Sequence, residues 1–181
     1  MSLPQEKGYT EDDYYSLPEN VRAELIDGQF YYQAAPSRIH QKILMSVSKT
    51  IANYIDSKGG SCEVYPAPFA VKLNEDRETI VEPDITIICD PDKLTDRGCT
   101  GAPDFIIEIV SPSTASLDYI KKLNLYQLTG VREYWIVNPI NGTVTVYYFE
   151  GSIWAKPYTF QDKIKVNICD DLVIDFSNMG I

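Results

Sequence analysis

Histidine is nearly missing from this 181-residue chain, with His40 its one copy. The four cysteines, Cys62, Cys89, Cys99 and Cys169, are scattered and form no CxxC pair. Both shortages speak against a zinc site, which needs clustered Cys and His ligands. Reduced thiols in a cytosolic protein are the simpler expectation. Positive charge is also short: 16 Lys and Arg stand against 26 Asp and Glu, a formal net charge of −10. That balance argues against tight non-specific binding to nucleic acid, which draws on a basic surface. No apolar run reaches the length of a membrane span. Met1 to Thr10 has neither the basic start nor the apolar core of an export signal, so a cytoplasmic location is expected. Gly59-Gly60 is not followed by the Lys-Ser/Thr of a phosphate loop. There is no Gly-x-Ser-x-Gly elbow either, and His40 has no nucleophile and acid around it.

What is present suits one domain over residues 1–181, with residues 1–8 a flexible leading segment; apolar content is 44% and charged content 23%. Thr10 followed by Glu11-Asp12-Asp13 predicts a short helix that ends before Pro18. Ala23 to Tyr32 reads as a hairpin turning on Asp27-Gly28. Ser37 can cap a long helix that stops near Gly59-Gly60 and buries Ile39, Ile43, Leu44, Val47, Ile51 and Tyr54. Strands are expected at Cys62–Tyr65, Phe69–Leu73, Ile85–Cys89 and Asp104–Val110. Ser113 or Thr114 then opens a helix that closes at Gly130. Glu133–Val137 is a further strand, and Thr143–Phe149 pairs with Trp154–Phe160 as a hairpin. The order predicts an α/β (α+β) fold, a mixed central sheet flanked by helices with an N-terminal hairpin and C-terminal β-hairpins.

The chemistry concentrates between Val81 and Lys122. Glu108 interrupts the apolar run Phe105-Ile106-Ile107 and Ile109-Val110, and Asp84 opens the run Ile85-Thr86-Ile87-Ile88. A carboxylate in such a run is either an outward edge position or a buried functional acid, because burial without a partner is costly. Two Pro-Asp pairs compete to join Glu108, at Asp84 and Asp104. Asp104 shares a strand with Glu108, and four residues of strand separate them by about 13 Å, too far to share one metal ion. Asp84 begins one strand and Glu108 lies near the end of the next, so antiparallel pairing would bring them together.

On the following helix Asp118 and Lys122 are four apart, which reads most simply as an exposed ion pair. Lys121 faces about 100° away, and one of the two lysines should point back to Glu108. Glu24 reads by itself as a solvent-facing position in an alternating strand. His40 reads as an exposed or capping residue, with contact to a substrate or metal water as the functional alternative.

These segments together resemble the Uma-two family of candidate restriction endonucleases. The likeness lies in Arg22-Ala23-Glu24-Leu25-Ile26-Asp27-Gly28, His40-Gln41, Val81-Glu82-Pro83-Asp84 and Pro103-Asp104 through Glu108-Ile109-Val110-Ser111-Pro112-Ser113-Thr114. It continues in Lys122-Leu123-Asn124-Leu125-Tyr126 and Gly130-Val131-Arg132-Glu133-Tyr134-Trp135. The resemblance implies the PD-(D/E)XK nuclease-like fold and a Mg²⁺-dependent site (Mn²⁺ substituting) for hydrolysing phosphodiesters, with DNA as the foremost partner. Asp84, Glu108 and the Ile109 carbonyl would hold the metal. Glu24 matches the family's first acid, which helps hold the metal or its water, and His40 matches a position of uncertain role. The superfamily's usual lysine, two residues after the second acid, is replaced here by Val110; the family's lysine on the next helix matches Lys122. Two other readings stand beside this one: a non-catalytic scaffold for protein binding, and a phosphodiesterase acting on RNA or another phosphate ester. Cutting both strands of a duplex would suit a homodimer.

Overall fold

Alternating apolar residues in three adjacent strands build the centre of the molecule. The coordinates are a computed structural model and describe residues 8–74, 78–112 and 114–181. The expected flexible segment 1–8 lies outside these apart from Gly8.

Thr10 opens α1 (Glu11–Tyr15), its backbone N–H donating to the Asp13 carboxylate at 2.7 Å. β1 (Ala23–Ile26) and β2 (Gln29–Tyr32) form the expected hairpin. Asp27 and Gly28 take the positive φ values, 50° and 74°, that a two-residue turn of this hand requires. The long α2 (Arg38–Lys58) starts at Ser37, whose hydroxyl accepts the His40 N–H, and stops at left-handed Gly59. Its buried face carries Ile43, Leu44, Val47 and Ile51; Ile39, expected there, is exposed.

The chain continues through β3 (Glu63–Pro66), β4 (Val71–Lys72), β5 (Ile80–Val81), β6 (Ile85–Ile88), β7 (Leu94–Thr95), β8 (Gly98–Thr100) and β9 (Phe105–Ile109). A π-helical turn over Leu117–Lys122 then runs into α3 (Leu123–Thr129), which ends at left-handed Gly130. Five strands complete the fold: β10 (Glu133–Asn138), β11 (Thr143–Tyr148), β12 (Trp154–Thr159), β13 (Lys163–Lys165) and β14 (Val173–Asp175).

The main sheet has the order β12-β11-β10-β9-β6-β3 and is mixed: β9 and β10 are parallel, the other pairs antiparallel. Along β9, Phe105, Ile107 and Ile109 face one core with the buried side of α2, and with Ile164 and Ile174 of the β13–β14 hairpin. Ile106 and Val110 face the other core, with Tyr126 of α3 and with Ile26, Val71 and Val81. Those last three belong to a second sheet of short strands, β2-β1-β5-β4-β8-β7, which lies on that side. A mixed sheet flanked by helices is therefore present as expected. The second sheet was less visible because β4, β5 and β7 have two residues each, too few to show a period.

One expectation is corrected. Cys62 and Cys89 are not reduced thiols but form a disulfide, one step beyond the β3–β6 pair Glu63↔Ile88. Their separation of 27 residues hid a cross-strand pairing that only the register reveals. The helix expected to open at Ser113 or Thr114 is helical from Ala115, with a π turn inside it over Leu117–Lys122; Ser113 itself lies outside the described residues. Among the described residues, no helix is long and apolar enough to cross a membrane.

Candidate active site

The β6–β9 ladder pairs Ile85 with Ile107, and one step further it sets Asp84 opposite Glu108. Here the strands part. The Ile109 N–H donates 2.7 Å to Asp84 Oδ2, a carboxylate taking the place of a ladder carbonyl. Backbone N–H and C=O of one residue in a strand point to the same side, so the Ile109 carbonyl shares the edge on which Asp84 sits. Asp104, the rival acid, lies at the other end of β9. There it accepts from the Cys89 N–H at 2.8 Å and from Arg132 at 2.9 Å, and ties strands together.

Even-numbered residues of β9 point toward the π turn, which gives Glu108 its partners. Lys122 Nζ donates 2.9 Å to Glu108 Oε1, and the Tyr126 hydroxyl donates 2.8 Å to the same atom. Lys122 Nζ also lies 2.8 Å from Glu24 Oε2 on β1 and 3.4 Å from Asp118 Oδ1. Glu24 Oε1 accepts the Glu82 N–H at 2.8 Å, which locks β1 to the segment leading into Asp84. Glu24, Glu108, Asp118 and Lys122 are all buried, at 2 to 4% exposure.

Three sequence readings change accordingly. Glu24 is not solvent-facing. The Asp118–Lys122 pair exists but is buried, not exposed. His40 is neither exposed nor a cap; its Nε2 lies 3.1 Å from Asp84 Oδ1. Of the two lysines, Lys122 turns inward, while Lys121 turns out to Asp27 at 3.2 Å and the Tyr31 hydroxyl at 3.0 Å. Tyr126 and Glu82 were missed. Tyr126 falls four residues after Lys122, one helical turn on, and that spacing could have flagged it.

Burial sets the electrostatics. It pushes the Glu108 carboxyl well above the usual range, against the pull of Lys122 and with Asp118 and Asp84 adding to the rise. Asp118 is pushed up to about 6, again chiefly by burial. Burial works against the Lys122 ammonium, but Glu108, Glu24 and Asp118 outweigh it and hold the group firmly charged. The Tyr126 hydroxyl is raised by burial and by Glu108, so it remains a donor.

Glu24, His40, Asp84, Glu108, Asp118 and Lys122 line a cleft of about 330 Å³ between the β1–β2 hairpin, the start of α2 and the π turn. Among the described residues, no three Asp, Glu, His or Cys side chains converge on a common metal position. The ammonium of Lys122 stands between Glu24 and Glu108 instead. What remains, Asp84, Glu108 and a backbone carbonyl, is a hard oxygen set of the size Mg²⁺ accepts, since that ion keeps several waters and uses one or two carboxylates. Four acids, Glu24, Asp84, Glu108 and Asp118, also leave Lys122 in deficit, so a divalent cation suits the local charge.

Comparison with known proteins bears on this arrangement. Residues 11–177 match the Uma2 family model, described as "putative restriction endonuclease". The chain is 26% identical over 140 residues to the uncharacterized protein slr1290 of Synechocystis sp. (strain ATCC 27184 / PCC 6803 / Kazusa), covering 76% of this chain and 72% of that one. A crystal structure described as a putative nuclease belonging to DUF820, from Anabaena variabilis ATCC 29413, superposes with a TM-score of 0.76 at 18% identity. The match covers 94% of this chain and 96% of that one, and shows a shared fold.

Proposed function

This chain belongs to the Uma2 family, and from that premise we propose that it is a metal-dependent endonuclease hydrolysing phosphodiester bonds in DNA. The observation that carries the reading is the convergence of Glu24 and Glu108 on a buried lysine, with Asp84 opposite Glu108 at the open end of the sheet. Few structural needs explain three acids and a lysine buried together, because an apolar replacement of similar volume serves stability as well or better.

Asp84, Glu108 and the Ile109 carbonyl would hold Mg²⁺, or Mn²⁺ in its place. When bound, the ion supplies Lewis-acid polarisation of a phosphoryl oxygen and lowers the pKa of water at the site. The chain's own residues do the rest. Lys122 donates to Glu108 and Glu24, which fixes both carboxylates, and its charge offsets the negative charge that grows on phosphorus-bound oxygens in the transition state. Tyr126 fixes the rotamer of Glu108 from the other side. His40 Nε2 and the Ile109 N–H hold one oxygen each of Asp84. Glu24 anchors the ammonium from β1 and orients water beside it.

The test is cleavage of supercoiled plasmid, linear duplex and single-stranded DNA with Mg²⁺ or Mn²⁺, comparing wild type with Glu108→Ala. Cleavage by wild type, lost in the variant and abolished by chelator, supports the reading. Equal cleavage by the variant overturns the site. A non-catalytic scaffold is the second reading, favoured by the Lys122 ammonium already standing between Glu24 and Glu108. It would show no metal-dependent heat of binding at Asp84 and Glu108.

A further inference from the structure

The β1–β2 hairpin carries a row of aromatic rings that neither core uses. Phe30 and Tyr32 share one face of β2, being two residues apart, and their ring centroids lie 6.1 Å apart. Tyr9 is drawn alongside by its N–H, which donates 2.8 Å to the Gly28 carbonyl, and its ring centres 4.6 Å from Phe30. Adjacent rings in the row are tilted by 40° and 38°. Tyr32 is 69% exposed and Tyr9 54%. The row ends at Tyr32, which lines the cleft.

The cleft, in contrast, is poor in free positive charge. Arg22 and Lys122 are the Lys and Arg residues lining it among those described. Each is already engaged, Arg22 with Glu82 at 2.8 Å and Lys122 with three carboxylates. Affinity for a duplex comes mainly from lysines and arginines meeting two dense phosphate backbones. A single strand also uses positive charge, but each base stacked on an aromatic ring adds about 1–3 kcal/mol that does not depend on net charge. Duplex bases also have both faces covered, at a spacing of about 3.4 Å.

We infer that the Tyr32–Phe30–Tyr9 row is a stacking platform that guides a single-stranded nucleic acid into the cleft, making single strands the substrate class. The inference rests on the phosphodiester reading of the site. A nucleotide seated on Tyr32 would place the next phosphate toward Asp84 and Glu108, and the chain beyond would run along Phe30 to Tyr9.

Fluorescence anisotropy with Ca²⁺ in place of Mg²⁺ separates binding from cleavage. The probes are a short labelled single-stranded DNA, the RNA of the same sequence, and the matching DNA duplex. Expected is single-strand binding about tenfold or more tighter than duplex, weakened about five- to a hundredfold by Tyr32→Ala and kept by Tyr32→Trp. Preference between the DNA and RNA probes would identify the sugar. Duplex binding as tight as single-strand binding, no binding of single strands, or full affinity in Tyr32→Ala would each overturn the platform. Single strands bound through Tyr32 but never cut with Mg²⁺ or Mn²⁺ would sink the nuclease reading and leave the platform standing. Cutting of duplex alone would do the reverse.

Discussion

Asp84 and Glu108 stand opposite one another one step past the last pair of an antiparallel ladder, where the strands separate and a carboxylate takes over from a backbone carbonyl. The position matters as much as the residue types. Inside the ladder both oxygens of Asp84 would be walled in; at its end they meet the cleft. Asp104 has the same Pro-Asp signature, yet it is consumed by Cys89 and Arg132.

The two aspartates should therefore fail differently. Asp84→Asn is expected to abolish metal-dependent cleavage with little change in melting temperature. Asp104→Ala is expected to retain cleavage and lose about 1–3 kcal/mol, since it leaves the Cys89 N–H and Arg132 without their acceptor. Thermal melts and cleavage assays on both variants decide it; the opposite pattern would exchange their roles.

Glu108→Gln should be inactive yet no less stable than wild type. The amide keeps an oxygen for Tyr126 and Lys122, while it removes a charge that burial and the neighbouring acids disfavour. A gain of about 1 kcal/mol would raise the melting temperature by roughly 2–4 °C in a chain of this size. A fall of several degrees would show that the charge at Glu108 stabilises the fold.

Lys122→Met removes the one cation among three buried acids. Breaking a buried ion pair on one side costs about 3–5 kcal/mol. Adding Glu108→Gln to Lys122→Met should restore part of that loss, because one uncompensated charge disappears. Denaturant titration of both singles and the double gives the coupling; strictly additive losses would mean that the two groups do not interact.

Stability should respond to pH through Asp118, whose carboxyl burial pushes up to about 6 in the folded chain from its ordinary value of 3.8. Between those values the folded chain holds a proton that the unfolded chain has released. Stability from this group therefore rises as pH falls from above 6 toward 4, and is lost as pH rises through 6. Each such proton contributes at most about 1.4 kcal/mol per pH unit. Asp118→Asn, followed by urea titration in chelator across that window, should flatten the slope; an unchanged slope would put the titration elsewhere.

Much of this site was legible because strand pairing and chain spacing are local rules. The hairpin at Asp27-Gly28, the cap at Ser37 and the choice of Asp84 over Asp104 all follow from turn chemistry and strand length. Glu24 was misjudged because β1 reads as an alternating strand by itself. It is buried on both faces, and that depends on α1 and the main sheet closing over it. The burial of Asp118 escaped notice for a related reason: a pair four apart looks the same in sequence whether its helix faces water or acid. His40 meets Asp84 across 44 positions of chain, which no local pattern encodes. The Cys62–Cys89 disulfide needed the β3–β6 register before it could be seen.

The π turn over Leu117–Lys122 makes chain length itself a variable of this site. A π turn holds one residue more than the α-helical turn it replaces. Deleting a single residue between Asp118 and Lys122 would let the helix relax to ordinary pitch without turning its upstream part relative to α3, because the π turn absorbs that residue within one revolution. Asp118 and Lys122 would then stand three apart and still share one face of the helix. Among relatives of this chain, a gap of one residue between the positions of Asp118 and Lys122 is therefore compatible with the same site, and a comparison that read the gap as a broken helix would overlook it.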